Sequence, residues 1–334
     1  MHKLYLLFFM ILFTFFSLGC SNHVRVKALK PAEIDRATTT KNIAVVAFNR
    51  DRVGLSSKIE SNLARHKIDN KPFFTIVSRS DLNQVIKEQK LQNSGLVDTQ
   101  DIVEVGELIG AEAIISGNVG KTSISDSHYY EKRVGCADKK CKQTYIYRVG
   151  CTKRVIGLSA EIKMVDVTRG DIIYADNIAR SSTYKHCRDD SRALPSKESV
   201  AQSLASTIAS TFTYKLTPHY RYFSVELLDD PDLDYTDEQE DLLENALKYI
   251  EHKRYDKASQ LLTELVDTTD QQSYVAFYNL GVVKETQGDF TKAKIYYEKA
   301  DNLTTEPVTA VNNAYNRINT VIEEQRITAE QLNR

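Results

Sequence analysis

The chain has no excess of charge of either sign. Its 44 lysines and arginines stand against 45 aspartates and glutamates, a formal net charge of −1 over 334 residues. Proteins that hold nucleic acid show a clear basic surplus, so nucleic acid is not an expected partner. An apolar run of membrane-spanning length is also lacking. The longest, Leu4–Phe16, ends shortly before polar Ser21-Asn22-His23, short of the roughly 20 residues that a spanning helix needs. A catalytic constellation is missing as well. The seven histidines are scattered through polar stretches, and none is paired with a serine or aspartate in a way that spells a triad. No enzyme and no cofactor are therefore expected. Gly117-Asn-Val-Gly120-Lys121-Thr122 looks like the end of a phosphate loop. However, Ile115 stands where that motif needs glycine, and Ser123-Ile124-Ser125 continues as strand where a helix should begin.

Cysteine is scarce, with five in all. Cys20 stands alone behind His2-Lys3, the apolar run and Ser17-Leu18-Gly19, an order that reads as an export signal over 1–19. Gly19-Cys20 resembles a bacterial lipoprotein cleavage site with lipid added to Cys20, and Ser21 resembles those sent to the outer membrane. A plain secretory signal with an incidental cysteine is the alternative. The other four, Cys136, Cys141, Cys151 and Cys187, cluster in mid-chain. A metal site with His128 or His186 competes with disulfides. Their spacings fit no structural zinc pattern, and an exported chain meets an oxidising compartment, which favours disulfides. A hairpin turning at Arg169-Gly170 sets Cys187 opposite Thr152, one residue from Cys151. A turn near Asp138-Lys139 brings Cys136 to Cys141. The expected pairs are Cys151–Cys187 and Cys136–Cys141.

A length of 334 residues suits two domains. After a polar tether over 20–40, Lys41–Phe48 is a short β-branched run that reads as a strand buried on both faces. Leu55, Ile59 and Leu63 form a helix stripe, and Phe73–Val77 is a second strand. Ser78 opens a helix with Asp81 in a capping-box position and Leu82, Val85 and Ile86 inward. Asp98 caps another helix carrying Ile102, Val105, Leu108 and Ile109, and Ala113–Gly117 is the next strand. Antiparallel strands follow: Tyr130–Val134, Thr144–Val149, a long central Val155–Val167, and Ile172–Ala179 after a tight turn at Thr168–Asp171. A helix over about 197–216, with Val200, Leu204, Ile208 and Phe212 on one face, closes an α/β domain over 41–216.

The order of these elements resembles the CsgG family. The matching stretches are Ile43–Phe48, Phe74–Arg79 leading into Asp81-Leu82, Gly110–Gly117, and Val165–Ile172. That family includes the curli secretion component and looks similar to the penicillin-binding-protein activator LpoB and to the TolB N-terminal domain. The resemblance implies a CsgG-like α/β domain with an extended antiparallel hairpin arm. It also implies a non-enzymatic, periplasm-facing envelope protein.

Residues 217–236, with two prolines and an acidic run Asp229–Asp234, read as a linker, although Tyr220, Tyr222 and Phe223 are apolar for a free one. Beyond it, over 237–330, lies a weak internal repeat. Phe277, Leu280, Gly281, Gly288, Phe290, Ala293, Tyr297 and Ala300 fall where a tetratricopeptide repeat alternates large and small residues. Leu242, Ala246, Tyr249, Tyr255 and Ala258 form a worn earlier copy. Such repeats bind partners on a concave face, here Leu243, Leu247, Tyr278, Val282 and Glu285. Because two units are few for stability, some of these residues are equally expected to be core.

The function expected is that of a lipid-anchored outer-membrane accessory or adaptor in envelope assembly or secretion, holding a protein partner or forming a homo-oligomer. The alternative is a CsgG-type oligomeric secretion channel subunit. The arm segments argue against a pore. Tyr129–Val155 carries charges at odd and even positions of both strands, and a cation facing lipid at mid-depth costs roughly 2–4 kcal/mol. Asn177–Ser196 likewise has too few large apolar residues. If Cys20 carries the anchor, Cys20→Ala is expected to release the protein into the soluble periplasm or to stall its processing. Fractionation of cells checks this, and a mature mutant that stays with the outer membrane would contradict it.

Overall fold

The structure is a computed structural model that describes residues 22–78 and 99–334. The leader, Cys20 and the expected helix with Asp81, Leu82, Val85 and Ile86, together with Asp98, lie outside the described residues. Two compact units divide the chain: Pro31–His219 with Thr328–Arg334, and the residues through Lys30 with Tyr220–Ile327.

The first unit is a mixed α/β domain. Its strands are β2 (Asn42–Val45), β5 (Thr75–Ile76), β6 (Ala113–Val119), β7 (Ser123–Cys136), β8 (Thr144–Asp166) and β9 (Ile172–Cys187). A small separate pair, β3 (Lys67–Ile68) and β4 (Lys71–Pro72), makes a local hairpin. The main sheet runs β5-β2-β6-β8-β7, with β9 on the other edge of β8. β2 is parallel to both β5 and β6, and the rest is antiparallel. As its unbroken apolar run implies, β2 is buried on both faces. Ile43 and Val45 join one core with helices α1 (Leu55–Arg65) and α3 (Lys197–Leu216); Ala44 and Val46 join a second with α2 (Thr99–Ile109). The stripe Leu55, Ile59 and Leu63 is fully buried, as is the α3 stripe through Ile208 and Phe212. Asp51 starts α1 by accepting from the Leu55 and Ser56 amides at 2.8 and 2.9 Å, where a carboxylate satisfies otherwise unpaired helix N–H groups.

Two stretches read as connections are structured. The tether contains β1 (His23–Lys30), whose Val24, Val26 and Ala28 are buried while His23, Arg25 and Lys27 face out. The linker contains β10 (His219–Glu226), which pairs with β1 in a two-stranded ribbon. Leu227 N–H donates to Asn22 O at 2.7 Å, and Arg25 and Lys27 lie over the rings of Tyr222 and Tyr220 at 4.3 and 3.6 Å. These contacts put the end of one strand beside the start of the other, the antiparallel sense. The acidic run is not free either. Asp232 accepts from the Val275 amide and from Ser273 Oγ at the start of a helix, where a carboxylate complements the dipole. A free linker would leave Val24, Val26, Val225 and Leu227 in water, and their burial is what folds both stretches.

The second unit is all-α apart from that ribbon: α4 (Asp237–Glu251), α5 (Tyr255–Thr268), α6 (Tyr274–Thr286), α7 (Phe290–Leu303) and α8 (Thr309–Leu332), whose last turn belongs to the first unit. Thr236 and Gln239 form a complete capping box on α4. α6 is apolar nearly all round and is buried from Val275 to Val283, the mark of a central helix. The ribbon covers it together with α8, through Val311, Ala314, Ile318 and Val321. Gly281 permits the closest approach: a methyl there would lie 2.5 Å from the Tyr297 ring on α7. Gly281→Ala is therefore expected to cost about 1–3 kcal/mol through overpacking. Urea unfolding of the helical unit measures it, and an unchanged midpoint would refute the packing.

Candidate functional site

The five residues expected on a partner-binding face separate. Tyr278, Val282 and Glu285 are interior, at 1%, 0% and 0% exposure. They cannot meet a partner while the unit is folded, which corrects that expectation. The reason lies in α8 and the ribbon, which cover the side of α6 that a bare pair of repeats would leave open. Tyr278 donates its hydroxyl to Glu226 O at 2.8 Å, tying α6 to β10. Glu285 is held by Arg317 of α8 through two bonds of 3.0 and 2.9 Å, and it accepts from the Tyr297 hydroxyl. Burial opposes the Arg317 charge, but the bonds and charge of Glu285 outweigh it and hold its pKa above the ordinary value. The sequence offers no signal for the Glu285–Arg317 pair, because the partners lie on helices that no local periodicity joins.

Leu243 is buried and Leu247 half-buried, and both line a cleft of about 980 Å³ within the helical unit. Val24, Tyr222, Leu227 and Tyr255 complete its apolar surface. Both signs of charge ring it: Arg25, Lys27 and Lys248 against Asp229, Glu240 and Glu244. Tyr222 is 53% exposed, with Arg25 stacked on its face. Asn279 fixes the adjoining wall: its carboxamide accepts from the Leu228 amide at 3.1 Å and donates to Leu228 O at 2.7 Å. An apolar floor with a mixed polar rim suits a peptide segment better than a small charged metabolite. The wall contributed by β1 was missed in sequence, although Val24, Val26 and Ala28 alternate with polar residues at the period of a strand.

The clustered cysteines stand as two bonded pairs, Cys136–Cys141 and Cys151–Cys187. The first bridges the tip of the β7–β8 hairpin. The second joins β8 to β9 at directly opposed positions, not one residue apart. The turn places Val165 opposite Ile172, two residues short of the register expected from a turn at Arg169-Gly170, and an irregularity gives one back: Met164 faces Tyr174, so Ile173 is an extra residue. Val149, Cys151 and Cys187 then form a small buried cluster with Tyr129 against it. Glu131 approaches these sulfurs, but bonded sulfurs are not the thiolates that a metal needs. His128 and His186 both register against Thr152, on the opposite face of the ladder from Cys151.

The remaining motifs have local explanations. Gly117 lets β6 approach its neighbours, since a methyl there would lie 2.6 Å from Glu161 O and 2.8 Å from the Phe48 ring. Lys121 is followed by strand β7, with no helix to receive a phosphate. Gly170 takes φ +67° in its turn, and Asp171 is held by Arg36 at 2.7 and 3.1 Å.

Residues 37–124 match the family described as Curli production assembly/transport component CsgG. No curated protein matches the chain. Among solved structures the chain is similar to lipoprotein GNA1162 from Neisseria meningitidis, at 13% identity over 52% of this chain and 97% of that one, with a TM-score of 0.27. It is also similar to the LpoB C-terminal domain from Salmonella enterica, at 13% identity over 44% and 95%, with a TM-score of 0.26. A PelC dodecamer from Paraburkholderia phytofirmans shares 14% identity over 57% and 99%, with a TM-score of 0.22. No helix of the described residues is long and apolar enough to cross a membrane.

The buried tyrosines make the helical unit sensitive to alkali. Burial first, then the Glu285 carboxylate, pushes the Tyr297 phenol well above the ordinary 10.0, and burial pushes Tyr278 up to about 12. The folded unit therefore holds these protons more tightly than the unfolded chain does. Their contribution is fully present below the ordinary tyrosine value and is lost as pH rises through the raised folded values. Circular dichroism against pH is expected to show no loss of helix up to about pH 10 and progressive loss above it. Normal titration of every tyrosine in the native protein would contradict this.

Proposed function

We propose that this chain, whose residues 37–124 carry the CsgG match, is a periplasm-facing outer-membrane lipoprotein anchored through Cys20. It acts as a non-enzymatic accessory in envelope assembly or secretion. Its helical unit, in this reading a short tetratricopeptide module over 237–330, presents the cleft to a protein partner. The observation that carries the reading is that cleft: Leu243 and Leu247 stand in it beside an exposed tyrosine and charges of both signs. A segment with alternating apolar and charged side chains would bury Tyr222 and Leu247 while pairing its own charges with the rim. Buried aromatic anchors of this kind supply most of the energy in protein interfaces. The lipoprotein and LpoB likenesses accord with an accessory role at the envelope.

A CsgG-type channel subunit would need two separate hairpins to give to a shared barrel. Here the two candidate segments are already joined, because β7 and β9 pair with opposite edges of one strand, β8. The Cys151–Cys187 bond closes that arrangement.

Tyr222→Ala with Leu247→Glu is expected to lower capture of the partner by at least about tenfold, as the loss of a central aromatic anchor does. Cross-linking in intact cells followed by pulldown measures it, with circular dichroism to show that the helices remain. Undiminished capture by a folded double mutant would sink the cleft as the binding surface. Stable ion channels in planar bilayers formed by the purified protein would support the channel instead.

A further inference from the structure

The arm formed by β7 and β8 extends past the end of β9, and its two faces differ sharply. Cross-strand register places Tyr130 opposite Gly150, Lys132 opposite Arg148 and Val134 opposite Ile146. These six share one face, because side chains alternate along a strand and direct partners point the same way. Tyr130, Val134 and Ile146 are 75%, 68% and 71% exposed. Arg188 joins them: its amide bonds Gly150 O, and its side chain lies with the Tyr130 ring over the Gly150 α-carbon.

The acidic groups are turned elsewhere. Glu131, Asp189 and Asp190 gather around Arg133 at 3.5, 3.7 and 3.6 Å, on the opposite face with Tyr147 and the Cys151–Cys187 bond. Asp138 spends its carboxylate on the backbone amides of Lys140, Lys142 and Gln143 in the turn. Lys139, Lys140 and Lys142 therefore stand at the tip with no carboxylate there to receive them. Lys132 and Arg148 are like charges placed directly opposite each other, which is unfavourable in an isolated ribbon. Among the described residues neither they nor Arg188 is in an ion pair. Nearer the body of the sheet the same face changes character, since Arg154 is paired with Asp126 at 2.7 Å.

We propose that this face of the arm docks on the surface of an anionic phospholipid bilayer. The combination favours a membrane over a folded acidic protein. The surface carries exposed aliphatic and tyrosine side chains that partition into the interfacial zone, and surrounds them with cations. Lys132 and Arg148 gain the counter-charge that the chain itself withholds. Each basic side chain near an anionic leaflet adds to the attraction, and the attraction weakens as salt screens it. The disulfide at Cys136–Cys141 holds the tip lysines together, and Cys151–Cys187 fixes which face is presented. Such docking lies along the surface and spans nothing.

The test uses the full chain carrying Cys20→Ser, so that no lipid is attached there and every variant shares one background. Co-sedimentation is measured with vesicles of phosphatidylcholine alone and of phosphatidylcholine mixed equally with phosphatidylglycerol. Tighter binding to the anionic vesicles is expected, falling as salt is raised. Lys132→Glu with Arg148→Glu is expected to weaken it by at least about tenfold, given the size of the attraction per basic residue. Lys257→Glu with Lys294→Glu makes the same charge change on the helical unit and should leave binding unchanged. Val134→Ser with Ile146→Ser should reduce it without altering its salt dependence. Mapping of both disulfides without reduction shows that each variant has kept the arm. Equal binding to both vesicle types, or equal loss in the arm and helical variants, would overturn the proposal. Binding to polyglutamate without binding to the anionic vesicles would also overturn it and point to an acidic protein.

Discussion

The α/β unit depends on one strand. β8 runs for 23 residues, roughly 75 Å at strand rise. Its last third pairs with β6 and is buried in the sheet, while its first part pairs with β7 and opens with five exposed residues. β9 follows its other edge from Cys151 to Val165. Whatever fixes the register of β8 in the body therefore also decides what the arm shows to its surroundings. A slip of one residue would turn every side chain of the strand over. Val149 and Cys151 would then face water, and Arg148 would turn inward. The extra residue at Ile173 and the Cys151–Cys187 bond hold the chosen register from the two ends of the β8–β9 pair.

The helical unit rests on a different constraint. Glu285 is fully buried, and a buried carboxylate is tolerable only when it is paired and its lone pairs are used. Arg317 and Tyr297 meet that need from two other helices. The geometry ties α6, α7 and α8 to one mutual arrangement, because sliding α6 or α8 would strand a charge and sliding α7 would remove the hydroxyl that Glu285 accepts from. Around this centre the small residues Gly281, Ala293 and Ala300 bring the helices close, and the ribbon of β1 and β10 packs its Val24, Val26 and Val225 into the same core. The cleft is lined by Val24 and Tyr222 of the ribbon and by Leu243 and Leu247 of α4.

The functional reading joins these two surfaces. An apolar cleft with a mixed-charge rim fits a peptide segment, and a one-sided basic arm fits an anionic interface.

Much of this was legible in the residues. The period of the apolar side chains marked β2, α1 and α3, because each local segment must bury one stripe or both faces whatever its neighbours are. Hairpin turns and the oxidising compartment expected from the leader sufficed to pair the four clustered cysteines, since a turn determines which residues face each other across a ladder. What sequence could not decide depended on residues far apart in the chain. The tether and the linker became strands only because 23–30 and 219–226 meet, and a two-stranded ribbon has no stability until it finds a core to cover. Tyr278, Val282 and Glu285 sit on a helix apolar on nearly every side, so periodicity could not separate a partner-facing side from a buried one. That choice was made by Arg317 and the ribbon, which supplied the charge and the cover. The sidedness of the arm was hidden for the same reason: alternation along one strand sorts residues into two faces, but only the register of β7, β8 and β9 shows which faces coincide.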